Sequence, residues 1–310
     1  MASKASDSIL VVGSMGFDTI TSPSGHVDNL LGGSANYFSL PASLYAPVSV
    51  VGVVGEDYGP QHFKVLQDHG VDTEGVQVQK GETFRWAGSY VADLNEAVTL
   101  KTELNVFRNF DPKLSEAHRQ ASFVFLANID PILQMRVLDQ IESADFVGLD
   151  TMNYWIDSKL PDLKKVLARV DAFLVNETEA LKMTGESNIV VATKKLAGMG
   201  PKIIVVKRGE YGFFMFSENR FFVLPAVPVE NVVDPTGAGD SFAGGFMGHL
   251  CQAGKGINYR TLQDACIQGS IVASFCVQDF GIRALAKVNL AAVERRMVEY
   301  MQVVSLKGTP

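Results

Sequence analysis

Positive charge is in short supply in this sequence. Lysine and arginine total 27 against 34 acidic residues, for a net charge of −7 with histidine neutral, and no dense basic block occurs. Such a balance argues against nucleic acid or an anionic membrane as the main partner. An anionic ligand must then be held locally, by backbone N–H groups, a few cations or a metal. Cysteine is also scarce. Cys251, Cys266 and Cys276 are odd in number and lack metal-ligand spacing, so they read as core thiols of a reducing compartment. No run approaches the ~18 apolar residues that span a bilayer. The opening "MASKASDSILVVGSMGFD" has an apolar core of about five residues, too short for a secretory signal. The cytoplasm is the expected location. A G-x-x-x-x-G-K-[ST] string is absent, and so is G-x-G-x-x-G after the first strand, which removes two common nucleotide-binding designs. There is no internal repeat, low-complexity segment or long linker.

What is present suits one α/β domain over residues 1–310, since 47% of the chain is hydrophobic and that is ample for a large core. The runs "SILVVG", "VSVVGVVG", "FVFLAN", "DFVGLD", "AFLVN" and "KIIVVK" are short, rich in Val, Ile and Phe, and end in turn residues or Asn/Asp. They predict buried strands. Helix-like stretches at 58–69, 131–142, 157–169, 177–184 and 189–199 lie between them, and several helices are expected from Gly239 to about Met301. The alternation predicts right-handed βαβ units and a mostly parallel sheet covered on both faces. Ligands in such sheets bind at the carboxyl ends of the strands. Residues 15–31 and 75–104 alternate polar with apolar residues instead. They are read as a separate small β layer, a candidate lid. Pro41, inside the helix-like stretch after Gly33, should kink that helix or delay its start.

The most informative stretch is "DPTGAGDSFAGGF", residues 234–246. Gly237, Ala238 and Gly239 can bring bare N–H groups to an anion, and the following helix adds its positive end. Asp240, itself an anion, then stands where it can take a proton from a hydroxyl attacking that anion. A glycine turn with a dipole-matching acid is the plainer alternative. Two adjacent glycines, Gly244 and Gly245, continue the helix at a cost of roughly 1 kcal/mol each against alanine, which implies a close approach there. "LLGGSANYFSL" reads either as a glycine turn capped by Ser34 or as backbone that a polyol can approach, with Asn36 offering donor and acceptor to hydroxyls. In "VVGSMGFDTI", Asp18 follows a glycine turn. In "LVNETEA", Asn176 and Glu179 have the spacing of a capping box. "VVKRGEYGFFMF" fits a hairpin about Gly209 and Gly212.

Together these strings resemble the pfkB (ribokinase-like) carbohydrate kinase family, in the family's order across residues 11–281. "DPTGAGDSF" looks like its D-T-x-G-A-G-D-x-F signature, with Pro235 in place of the common threonine and Thr236 retained before Gly237. The resemblance implies a three-layer α/β/α fold with a β-sheet lid. It implies that Asp240 is the base and that the Gly237, Ala238 and Gly239 N–H groups form the anion hole. Asp234 would hold the loop or a monovalent cation, K⁺, beside it. The acceptor hydroxyls would be bound by Asp18 and by a Gly-Gly-x-x-x-Asn-like element, matched to Gly32, Gly33 and Asn36. Many sugar kinases carry Asn two residues before that Asp, where this chain has Gly16. An N-x-x-E element, Asn176 and Glu179, would order the water shell of Mg²⁺. Lys207, where Thr is common, would lie along the ATP phosphates with Gly209, Gly212 and Thr236. The adenine side would fall near 273–281. In "TFRWAGSY" and after it, Arg85 or Arg108 is a candidate for the donor phosphate or an anionic substrate.

The expected function is transfer of the γ-phosphoryl group of MgATP to a hydroxyl of a sugar or related polyol. A nucleoside kinase is the near alternative, with Phe17, Tyr37, Phe84 and Trp86 offering rings for a base. A non-catalytic ligand sensor is the remote one. An exposed lid also suggests a homodimer formed through it.

Overall fold

The computed structural model describes residues 7–90, 94, 95 and 97–305. The first half of these runs β1 (Ile9–Val12), β2 (Gly16–Ser22), β3 (Gly25–Gly32), α1 (Ser34–Ser43), β4 (Val48–Gly55), α2 (Gly59–Gln67), β5 (Asp72–Gln79), β6 (Phe84–Ser89), β7 (Val98–Glu103), α3 (Glu116–Arg119), β8 (Phe123–Leu126), α4 (Pro131–Leu138) and β9 (Phe146–Leu149). Then come α5 (Asn153–Leu167), β10 (Ala172–Asn176), α6 (Glu177–Thr184), α7 (Ile189–Ala197), β11 (Ile203–Lys207), β12 (Phe213–Ser217), β13 (Arg220–Leu224), α8 (Ala238–Ala253), α9 (Tyr259–Cys276) and α10 (Leu290–Val304).

Nine strands form one sheet in the order β13-β12-β11-β10-β9-β8-β1-β4-β5. It is parallel except for the β11–β12 and β12–β13 pairs. Side chains of its central strands alternate between two cores. Ile9, Val11, Val50 and Phe125 pack under α1, α8 and α9. Leu10, Val12, Val51 and Val124 pack under the helices between β8 and β11. Burial on both faces is why these strands read as continuous apolar runs. No helix among the described residues is long and apolar enough to cross a membrane.

The small sheet has the order β3-β2-β6-β7. Its two hairpin-like excursions leave the main sheet after β1 and after β5, so they stand over the carboxyl ends of the parallel strands. The expected second lid segment starts too early. Asp72–Gln79 is the edge strand of the main sheet, paired parallel to β4, and the lid strand begins at Phe84. An edge strand lacks one neighbour and exposes part of each face, so its polar alternation imitates that of a lid strand.

The expectation for Pro41 also fails in part. The helix starts at Ser34 and Pro41 lies in its last turn. Proline has no N–H for the carbonyl four residues back, here that of Tyr37, and the Ser241 hydroxyl of α8 donates to that carbonyl at 3.4 Å.

Candidate active site

Asp18 lies in mid-β2, buried on the lid face that looks at the main sheet. Leu30 of β3 and Trp86 of β6 flank it on the same rung. The turn opposite is built around it. A Cβ on Gly32 would fall 2.0 Å from Asp18 Oδ2, so only glycine fits there. Gly33 has φ +91° and closes on the Ser14 carbonyl. Its N–H donates to the Asp18 carboxylate. Ser14 and Ser34 exchange hydrogen bonds that fix this turn to the end of β1.

Asn36 is not arranged for direct contact with a ligand. It is 0% exposed, and its amide donates to the Gly32 carbonyl at 2.6 Å and to the Tyr58 hydroxyl at 3.2 Å. It holds the glycine turn from behind. Counted from Gly32, a Gly-Gly-x-x-x-Asn string ends at position 37, which is a tyrosine. Tyr37 is the residue that faces the site, with its hydroxyl donating to Asp18 Oδ2 at 3.5 Å.

The second wall is the 232–241 loop. Asp234 is fully buried, and its two oxygens accept from the N–H groups of Thr236 and Gly281, each at 2.9 Å. This ties the loop to the end of α9, as do the bonds from Val233 and Asp234 to the Val277 carbonyl. The lid reaches the same loop, since Ser22 donates to the Val233 carbonyl and Thr236 donates to the Tyr90 hydroxyl. Gly237 then caps α8 in the left-handed region, φ +74°. The Ala238 N–H is taken by the Pro235 carbonyl at 3.1 Å. The Gly237, Gly239 and Asp240 N–H groups carry no such backbone bond. The Asp240 N–H reaches its own carboxylate, so those of Gly237 and Gly239 are the ones left to meet an anion at the helix end. The later glycines serve packing. A Cβ on Gly244 would lie 2.2 Å from the Phe38 carbonyl, and one on Gly245 3.1 Å from the Gln268 carbonyl.

The third wall comes from the carboxyl ends of β9, β10 and β11. Lys207 Nζ pairs with Asp150 Oδ2 at 2.8 Å, both largely buried. The same ammonium lies 3.0 Å from where a Gly239 Cβ would be. Asn176 and Glu179 form the expected capping box, with bonds of 2.8 and 2.9 Å. Gly209 and Gly212 both have positive φ in the β11–β12 turn. There Asn95, from the connection between β6 and β7, accepts from the Glu210 N–H at 3.2 Å. Lid and β11–β12 turn are therefore in contact.

The charges of these walls are coupled. Burial, then the negative charge of Asp150, pushes the Asp240 carboxyl up to about 7, with Lys207 opposing. Burial and Asp150 likewise push Glu179 up to about 8. Burial, then Asp234 and Asp240, raises Asp18 to about 8. Burial pulls the Lys207 ammonium down, but Asp150, Glu179 and Asp240 outweigh it and the net shift is upward. Among the described residues no three His, Cys, Asp or Glu side chains converge as a direct metal cage.

Asp150 was not singled out by sequence, although its place directly after the run "DFVGL" was visible and the ends of such strands carry function. Breaking its pair with Lys207 gives a clear expectation. Lys207→Met strands the carboxyls of Asp150, Glu179 and Asp240 without their cation and should cost about 3–5 kcal/mol, with much of it restored in Lys207→Met/Asp150→Asn. Urea unfolding of the wild type, Lys207→Met, Asp150→Asn and the double variant measures this coupling. Purely additive losses would mean that the pair does not hold the site.

The family described as pfkB family carbohydrate kinase matches residues 6–288 of the chain. A cytidine kinase of Thermococcus kodakarensis is 30% identical over 247 residues, covering 77% of this chain and 87% of that protein. A nucleoside kinase of Methanothermobacter thermautotrophicus is 29% identical over 276 residues, covering 86% of this chain and 84% of that protein. Among solved structures, ribokinase from Giardia lamblia superposes with a TM-score of 0.79 at 17% identity, covering 95% of this chain and 100% of that one.

Proposed function

The chain belongs to the pfkB family of carbohydrate kinases, and from that premise we propose that it transfers the γ-phosphoryl group of ATP to a hydroxyl of an uncharged sugar or nucleoside. It is a phosphotransferase of the ribokinase type. The observation that carries the proposal is the position of Asp240. It lies half-buried in the first turn of α8, beside the unengaged N–H groups of Gly237 and Gly239 and near Lys207.

In this mechanism Asp18 and the Gly33 turn orient the acceptor. Asp240 takes the proton of the attacking hydroxyl as its oxygen bonds to the γ-phosphorus. The bond to the β-phosphate oxygen breaks, and the electron pair leaves with ADP. The N–H groups of Gly237 and Gly239, the helix dipole and Lys207 meet the charge on the transferring group. Mg²⁺ carried by the nucleotide would supply charge neutralisation. Three carboxyls, Asp150, Glu179 and Asp240, stand against the single ammonium of Lys207, which suits a divalent cation arriving with its waters.

The acceptor side favours a neutral ligand. Arg85 is turned away from Asp18, bonded to Asn29 and Asp57 and lying over the Phe17 ring. Of the four rings expected to offer a base platform, three are committed elsewhere. Phe17 packs on Tyr58 and His62, Phe84 on Phe107, and Tyr37 is buried. Trp86 remains. It shares the rung of Asp18, lies over Gly88 and joins a cluster with Ile20, Leu30, Tyr90 and Phe280. A nucleoside with ribose hydroxyls at Asp18 would bring its base toward this apolar surface, and the kinship with a cytidine kinase supports the same choice. A free sugar is the second reading, supported by the same Asp18 turn.

The test is ADP formation from MgATP against nucleosides, free sugars and sugar phosphates. Turnover is expected with a nucleoside or a free sugar and not with a phosphate ester. A sugar phosphate as the best acceptor would overturn the assignment of a neutral site.

A further inference from the structure

We infer that Tyr37 is a positioning residue that holds the acceptor carboxylate Asp18 and the phosphoryl-transfer turn at Gly237 in one fixed relation, and that its hydroxyl tunes acceptor binding. The inference rests on the kinase reading above.

Tyr37 is 1% exposed and is gripped from several sides. Its hydroxyl donates to Asp18 Oδ2 at 3.5 Å, and among the described residues no other side chain donates to that carboxylate. Its ring lies against the Gly237 backbone. A Cβ at Gly237 would fall 2.1, 2.2 and 2.4 Å from three ring atoms, so the turn and the ring are in direct contact. Its carbonyl, left free by Pro41, takes the Ser241 hydroxyl one turn into the helix that carries Asp240. Close contact of α1 with α8, through Gly244 at Phe38 and Gly248 at Ala42, fixes the backbone on which the ring stands.

A tyrosine suits this task because it is a rigid spacer with a donor at its tip. The acceptor is presented by β2 and the α1 turn. The attacked phosphoryl group is met by the α8 turn. These parts are distant in sequence, and small misplacement of reacting groups is costly. Tyr37 touches both. It occupies one of the sites around Asp18 Oδ2 and the Gly33 N–H takes another on the carboxylate, which leaves the remaining sites for acceptor hydroxyls. The other ionisable groups facing this pair are Asp234 on the loop, Asp240 on α8, Tyr90 of the lid and Cys276 of α9.

The experiment uses the full chain and the best acceptor from the ADP panel. Tyr37→Phe keeps the ring and removes the donor. KM for the acceptor should rise about tenfold, the order expected for one lost bond to a charged group, while KM for ATP stays and kcat falls much less. The donor favours the ionised form of Asp18, so its loss should also move the acid limb of kcat/KM to higher pH. A merely structural role would not move that limb. Tyr37→Asn removes the ring from under Gly237 and should lower kcat by about tenfold or more through misplacement. Melting temperatures of both variants separate this from unfolding. An unchanged acceptor KM and acid limb in Tyr37→Phe, with the wild type active, would overturn this inference alone. A wild type without turnover on any acceptor would overturn the kinase reading, and the inference with it.

Discussion

Asp240→Asn is expected to lower kcat by about a hundred- to ten-thousandfold, the range for losing a positioned general base, while the protein stays folded. Asparagine keeps the size of the side chain and removes only its ability to accept the proton. The pH dependence gives the stronger test. In the free protein burial and the charge of Asp150 hold Asp240 at about 7, and burial with its acidic neighbours holds Asp18 at about 8. A base works only when ionised, so kcat/KM should climb with pH and level off above these values. Because both groups contribute, the slope below neutrality should exceed one in the wild type and drop by about one in the variant, with the two steps belonging to the coupled set.

Stability runs in the opposite direction. Asp240 has a folded pKa of about 7 against an unfolded value of 3.8. The folded state therefore binds the proton more tightly. The resulting stabilisation is present below the unfolded value and is lost as pH rises through 7. Asparagine does not carry that loss. Asp240→Asn should melt at or above the wild-type temperature at pH 8, and calorimetry checks it. A variant that retains wild-type kcat removes Asp240 as base. A variant that melts far lower at pH 8 removes the account of its burial.

Gly237→Ala should be nearly as damaging to catalysis. The residue sits at φ +74°, and its new Cβ would meet the Tyr37 ring at 2.1 Å. The backbone conformation alone costs about 1–2 kcal/mol for an alanine. The steric part must be relieved by moving the turn, which displaces a donor of the proposed anion hole, or by moving the ring, which draws the Tyr37 hydroxyl away from Asp18. A loss of about a hundredfold or more in kcat is expected, comparable to removing one oxyanion-hole donor. Gly70 provides the control. It has nearly the same angle, φ +73°, with nothing within 4 Å of its Cβ position. Gly70→Ala should therefore show the conformational cost without the catalytic one. Equal unfolding free energies for the two variants in urea would mean that the Gly237 turn does not rest on Tyr37.

The parallel strands, most helices and the glycine-rich loops were legible along the chain because each is written in a local pattern. Apolar runs ending in Asn or Asp marked β8, β9 and β10. The Asn176–Glu179 spacing marked a helix start, which is where α6 begins. The error at Asp72–Gln79 has the same origin. Local alternation reports that a strand has a wet side, without saying which sheet supplies its neighbours. Asn36 shows a further limit, since residue type and spacing suggested a ligand group while its amide is consumed by Gly32 and Tyr58.

The sequence by itself determined the layered α/β architecture, the family resemblance and the position of Asp240 at the head of a helix, because periodicity and helix-end chemistry are properties of neighbouring residues. The tertiary structure decided what surrounds that residue. Asp150 meets Lys207 across 57 residues, Asn95 meets the β11–β12 turn across 115, and Tyr37 lies between Asp18 and Gly237. Such pairs have no period in the chain. They exist because the carboxyl ends of separate strands, the lid and two helix ends are packed around one cleft, where burial makes each charge depend on the others.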